Sequence, residues 1–166
     1  MSNYFEDVPL GEEMHLGQHT FTAEEIKAFA VKYDPQYFHL DEAAAKSSLF
    51  GGLCASGWHT AAIWIRLTVA YRQRYEAELA KTGVKMAQWG PSPGFKNLKW
   101  LKPVFAGDTI TFTGRRTEKV DLKSRPHRGI IYALNEGFNQ HGEKVFEITS
   151  SILVERRQPY QPKDGA

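Results

Sequence analysis

The chain has 166 residues, 42% of them apolar and 24% charged, which suits one ordinary soluble domain with a real core. Its 21 basic and 19 acidic side chains nearly balance, and no long run of one sign appears; the densest basic spots are Arg115-Arg116 and Lys123 to Arg128. Nucleic-acid binding therefore has no compositional support.

The opening stretch, Met1 to Pro9, is acidic and lacks the apolar run of a signal peptide. Pro9 and Gly11 mark a turn. Met14 to Phe21 is a short strand by a weak pattern; His15 and His19 on it are four apart, which is poor zinc geometry. Thr22 then opens a helix, with Glu25 three residues on completing a capping box. Ile26, Phe29 and Ala30 give that helix one apolar face. It must stop near Tyr33, because Pro35 disfavours helix at Asp34. Residues 34–40 read as a loop, and Asp41 caps a short helix to Ser47.

Gly51-Gly52 breaks that helix, and one long helix is expected from about Leu53 to Lys81. Its first half is apolar nearly all round, with Trp58, Ala62, Ile65 and Val69 on one stripe, so burial on most sides is expected. His59 and Arg66 interrupt it, and it is too short and too polar to span a bilayer. Cys54 is the single cysteine, so neither an internal disulfide framework nor a Cys-based zinc site is possible. It reads as a small buried apolar residue. Trp58, Trp64 and Trp100 read as core or dimer-interface aromatics.

Gly83 to Pro93 is a connector, and the rest alternates in period two. Strands are expected at Phe95–Leu101, Thr109–Lys119, Ile130–Gln140 and Lys144–Glu155. Ile110 and Phe112 oppose a row of threonines; Ile130, Tyr132, Leu134 and Phe138 share a face, as do Phe146, Ile148, Ile152 and Val154. Gly107-Asp108 and Asn139 to Gly142 are turns by composition. The tail, residues 157–166, is polar and expected to be loose. The expectation is a single α+β domain over residues 1–166, core about 8–155. In it the long helix lies along a curved antiparallel sheet of about five strands.

The stretch from Tyr33 to His59 carries the chemistry. Asp34 precedes His39 by five residues, on a connector beside a helix N-terminus. Taken alone, Asp34 before Pro35 also reads as a turn former, and His39 as a hydrogen-bonded structural histidine.

The string Asp34-Pro35-Gln36-Tyr37-Phe38-His39, followed by Asp41, Ala44, Phe50-Gly51 and Ser56-Gly57-Trp58, resembles the signature of the MaoC-like dehydratases. These are the (R)-specific enoyl-CoA hydratases of hot-dog fold. Pro103-Val104-Phe105-Ala106-Gly107-Asp108 resembles that family's Pro-Val-x-x-Gly-Asp turn. The resemblance covers about residues 8–155. The chain departs from the pattern at Gln36 and Tyr37, where the family has Asn-Pro, and at Ser56, where it has His; Ile65 stands where some members have a pocket serine. Both ionisable groups remain, so the departures bear on substrate shape more than on chemistry.

The resemblance implies reversible addition of water to a 2-enoyl thioester. Asp34 and His39 would be the acid/base pair and the Gly57 N–H the oxyanion donor, with Phe38, Ser56 and Trp58 touching substrate. It implies no metal and no cofactor, since CoA is part of the substrate. It implies a homodimer or higher homo-oligomer with CoA along the interface; a cytoplasmic protein is expected from the single cysteine and the N-terminal pattern. Two alternatives stand beside it. A hot-dog thioesterase uses a carboxylate on or near the central helix, and no acid lies between Leu53 and Tyr75. A non-catalytic acyl-CoA-binding module would be indifferent to loss of His39.

Overall fold

The computed structural model describes residues 3–161. Strand β1 (Glu13–Thr20) leads into helix α1 (Ala23–Tyr33), two short helices α2 (Tyr37–Leu40) and α3 (Glu42–Lys46), and the long helix α4 (Gly57–Ala80). Strands β2 (Phe95–Trp100), β3 (Thr109–Asp121), β4 (Arg128–Phe138) and β5 (Lys144–Glu155) follow. All five strands form one antiparallel sheet in the order β1-β3-β4-β5-β2. The long helix lies along this sheet, which is the hot-dog arrangement.

The local signals act as expected at several points. The Thr22 hydroxyl accepts the Glu25 N–H at 3.2 Å and the Glu25 carboxylate accepts the Thr22 N–H at 3.3 Å, so both halves of the capping box form. Asp41 caps α3 by accepting the Ala44 N–H at 2.9 Å. The hairpin at Asn139 closes through the Asn139 N–H to Glu143 O at 3.0 Å, with Gly142 at φ +75. Ile110 and Phe112 of β3, and Phe146, Ile148 and Val154 of β5, are buried. All of these except Val154 join Phe21, just before the capped helix, Ile26 within it and Ile63 and Trp64 from α4 in one core cluster; Val154 packs with Phe5, Val8 and Ile131 in a second.

The structure corrects several expectations. The long helix starts at Gly57, not Leu53, because Leu53 to Ala55 run extended against the turn at Val104 to Ala106. Ala55 N–H donates to Val104 O at 2.7 Å, and Ala106 N–H to Leu53 O at 3.0 Å. Cys54 pairs with Phe105 in a β-bridge. Next, the helix's inward stripe is His59, Thr60, Ile63 and Trp64; Trp58 and Ile65 are exposed and Val69 is half-buried. The apolar count predicted burial all round, but one sheet can cover only one side of a helix. On β4 the apolar row Ile130, Tyr132, Leu134 and Phe138 is only half-buried, while Gly129, Ile131, Asn135 and Gly137 are the buried positions. Finally, residues 37–40, expected as loop, make one helical turn, with the Asp41 N–H donating to Tyr37 O at 3.0 Å.

The tail expected to be loose is tethered over its described part: Tyr160 N–H donates to Pro126 O at 2.8 Å, and Arg157 pairs with Asp7. Its last five residues, 162–166, lie outside the described residues.

Candidate active site

Asp34 is the C-cap of α1, with its N–H donating to Ala30 O at 2.9 Å and its backbone out of the helical region, as Pro35 requires. The chain then folds back. Gln36 N–H donates to Asp34 O at 2.7 Å, and its side-chain amide donates to Asp34 Oδ1 at 2.7 Å. The turn of α2 carries His39 inward until it is 5% exposed.

Two backbone segments meet at this histidine. The extended piece that precedes α4 brings the Cys54 carbonyl to 2.7 Å from His39 Nδ1. Only a ring N–H satisfies a carbonyl, so Nδ1 carries the proton in the neutral ring and Nε2 keeps its lone pair. That Nε2 stands 3.4 Å from Asp34 Oδ2. Cys54 Sγ is 3.8 Å from Nδ1, and burial pushes its thiol up to about 11, so it stays protonated and is no nucleophile at neutral pH.

Ser56 ties the carboxylate to the helix. It is the N-cap of α4, and its hydroxyl accepts the Trp58 N–H at 3.2 Å while donating to Asp34 Oδ2 at 2.6 Å. Burial by itself raises the Asp34 carboxyl. Hydrogen bonds from Ser56 and Gln36 and the charge of His39 outweigh it and hold Asp34 below its ordinary value. Ser56, expected against substrate, therefore has its hydroxyl committed to Asp34.

Gly57 is the first residue of α4, where backbone N–H groups lack intrahelical acceptors. A Cβ here would sit 2.6 Å from Cδ2 and Nε1 of Trp100, so the indole rests directly on this glycine. Trp100 and Trp58, both about half exposed, meet edge to face with centroids 5.3 Å apart. Phe38 packs edge-on against His39 at 4.6 Å and against Phe50 at 5.1 Å. All six residues named from the sequence, Asp34, His39, Gly57, Phe38, Ser56 and Trp58, line one cavity of about 510 Å³.

Residues the sequence reading missed also line it: Thr60, Phe50, Trp100 and Val145. Gln36 carried a signal, since an amide two residues after an aspartate can reach back to it. Trp100 carried none, because β2 is distant in sequence. Among the described residues, no group of three or more His, Cys, Asp or Glu is placed to hold a metal ion.

A carboxylate and an imidazole lone pair converge on a cavity next to the N–H end of a long helix, the set of groups that acid/base chemistry with a developing anion calls for. The family model "MaoC like domain" matches residues 7–134, and the chain belongs to that family. It is similar to a MaoC-like dehydratase from Rhodospirillum rubrum: TM-score 0.79, 40% identity, covering 94% of this chain and 99% of that one. It is 32% identical over 134 residues to the uncharacterized protein YdeM of Bacillus subtilis, covering 80% of this chain and 85% of that protein. A mesaconyl-CoA hydratase from Cereibacter sphaeroides is 31% identical over 71 residues, which is 42% of this chain but only 20% of that larger protein.

Proposed function

We propose that the protein is a hydro-lyase that adds water reversibly to a 2-enoyl-CoA thioester and, in reverse, dehydrates an (R)-3-hydroxyacyl-CoA. The observation that carries this reading is the pair His39 Nε2 and Asp34 Oδ2, 3.4 Å apart on the wall of the cavity at the start of α4. A water bound between them donates to both. Asp34, held ionised by Ser56 and Gln36, orients the water and stabilises the imidazolium that forms. His39, with its Nδ1 proton held by the Cys54 carbonyl, takes the proton at Nε2. The oxygen attacks C3, the C2–C3 π electrons move toward the thioester carbonyl, and the enolate oxygen is met by the Gly57 N–H. The imidazolium then returns its proton to C2. Water is added, and no other reactant is consumed.

The family and a relative named as a CoA-ester hydratase support the thioester class. No helix among the described residues is long and apolar enough to cross a membrane. The free, buried Cys54 suits the reducing conditions of the cytoplasm, where we place the reaction. The reading includes a homodimer. Trp58, Ile65, Trp100 and Leu101 are exposed, and β2 is an edge strand paired only with β5. An apolar face beside an open strand edge suits a second copy.

The test is loss of the 2-enoyl thioester absorbance on adding the protein, followed across short, long, branched and dicarboxylic acyl groups. Turnover that disappears in both Asp34→Asn and His39→Ala is the expected result. Release of free thiol without hydration would point instead to a thioesterase, and no reaction with any ester would end the hydratase reading.

A further inference from the structure

Two cavities lie along α4, the first lined at Thr60 and the second at Trp64, one helical turn further on. The catalytic cavity reaches Thr60 on α4, Val145 on β5 and Trp100 on β2. The second, of about 160 Å³, is bounded by Trp64 and Thr68 on α4, Ala133 on β4 and Ser150 on β5. Helix and sheet step through these levels together. One turn of α4 separates Thr60 from Trp64. On β5, buried Phe146 and Ile148 lie between Val145 and Ser150. On β2, which runs the other way, Trp100 pairs with Phe146 and Phe95 with Ser150.

At the intermediate level stand Trp64, 7% exposed, and Phe146, fully buried, with ring centroids 5.9 Å apart. Phe112 backs Phe146 at 5.9 Å. The Trp64 indole N–H is buried with no hydrogen-bond partner, although a buried indole ordinarily finds one. What this position gains is therefore the bulk of the ring and not its donor.

We propose that the Trp64–Phe146 layer is the end stop of the acyl-binding space, so that the substrate is a short-chain enoyl thioester. The second cavity is then room that a longer chain would need and cannot enter. The inference rests on the hydratase reading above. From the Gly57 N–H to the level of Trp64 is about 10 Å along the helix axis. The side chain leans back toward the helix N-terminus and shortens that reach further. A close-packed aromatic layer does not yield one methylene at a time, because making room for it strains its neighbours.

The experiment is kcat/KM for 2-butenoyl-, 2-hexenoyl-, 2-octenoyl- and 2-decenoyl-CoA, with the wild type, Trp64→Leu, and Trp64→Leu combined with Ala133→Leu. The wild type should lose at least about tenfold between the hexenoyl and decenoyl esters. Trp64→Leu should raise the decenoyl-to-butenoyl ratio by about tenfold, and Ala133→Leu, by refilling the second cavity, should remove that gain. Trp64→Phe serves if the leucine variant fails to fold, with a smaller shift in the same direction. A wild-type profile flat in chain length, or a ratio unmoved by opening Trp64, overturns the proposal and leaves the hydratase reading intact. Absence of turnover with every ester overturns that reading instead. In that case equilibrium binding of saturated butanoyl- and decanoyl-CoA still reads the length limit: equal affinity for both rejects the end stop, and preference for the short ester supports it.

Discussion

Two histidines of this protein are buried to nearly the same degree in opposite surroundings. His39 is 5% exposed and His59 6%. Nδ1 of His39 meets a backbone carbonyl at 2.7 Å, and its Nε2 is turned to a carboxylate on a cavity wall. Nδ1 of His59 has no partner; its ring is stacked on Phe29 at 4.7 Å and edge-on to Phe21 at 5.1 Å. Burial pushes the His59 imidazole down to about 4, with Glu25 pulling the other way and His19 and Arg66 adding to the fall. At neutral pH it is an uncharged aromatic filler between α1 and α4. Burial alone therefore does not make a histidine a base. One ring nitrogen must be held so that the other is aimed at something that reacts.

The largest effect that sharpens this contrast is on turnover. His39→Ala should lower kcat/KM by at least about a hundredfold, the scale of a lost general base. His59→Phe, which keeps the stack, should leave turnover close to the wild type and leave the melting temperature unchanged or raised, since it removes an unpaired buried nitrogen. Comparable losses in both variants would erase the distinction between the two histidines.

Gly57→Ala comes next. The added methyl meets the Trp100 indole well inside van der Waals contact, so either the ring moves or the helix start does. A stability loss of about 1–3 kcal/mol is expected, together with a fall in kcat because the Gly57 N–H is displaced. Chemical denaturation and steady-state kinetics measure the two separately; a variant with wild-type kinetics would remove Gly57 from the proposed oxyanion site.

His59 also predicts a pH dependence of stability. Its folded pKa lies below the unfolded value near 6.5, so the unfolded chain binds a proton that the native state refuses. Stability then falls as pH drops from about 6.5 to about 4 and levels off below that, for this group, with a total on the order of 3 kcal/mol at most. Denaturant titrations of wild type and His59→Phe across that window should differ in slope, and parallel curves would show that the histidine is not so shifted.

The smallest effect lies in the scaffold. Thr22→Ala removes the cap of α1 and should cost about 1 kcal/mol with unchanged kcat, because Asp34 leaves the other end of that helix.

Legibility in the sequence followed the range of the interactions. The cap at Thr22, the stop before Pro35, the turn at Gly142 and the inward face of β3 depend on neighbours within a few residues, and each could be read directly. On β5 only Phe146, Ile148 and Val154 of the expected face are buried, Ile152 is half-buried, and Val145, Ser151 and Leu153 of the other face are buried too. The start of α4 could not be read that way. Leu53 to Ala55 are apolar enough for helix, but Val104 and Ala106, half the chain away, hold them extended. The same long-range pairing presents the Cys54 carbonyl to His39, so the misplaced helix start and the missed orienting group have one cause.

By itself the sequence picked out Asp34, His39 and Gly57 as candidates, through their resemblance to a family signature, and the fold brings all three to one cavity. It also determined the order and kind of most elements, since period and capping are properties of adjacent residues. Only the tertiary structure decided which face of α4 and β4 is buried, where Trp100 rests, and how the Ser56 hydroxyl is used. Each of those outcomes depends on which surfaces come together when one sheet covers one side of a helix, and hydrophobicity along the chain carries no record of that pairing.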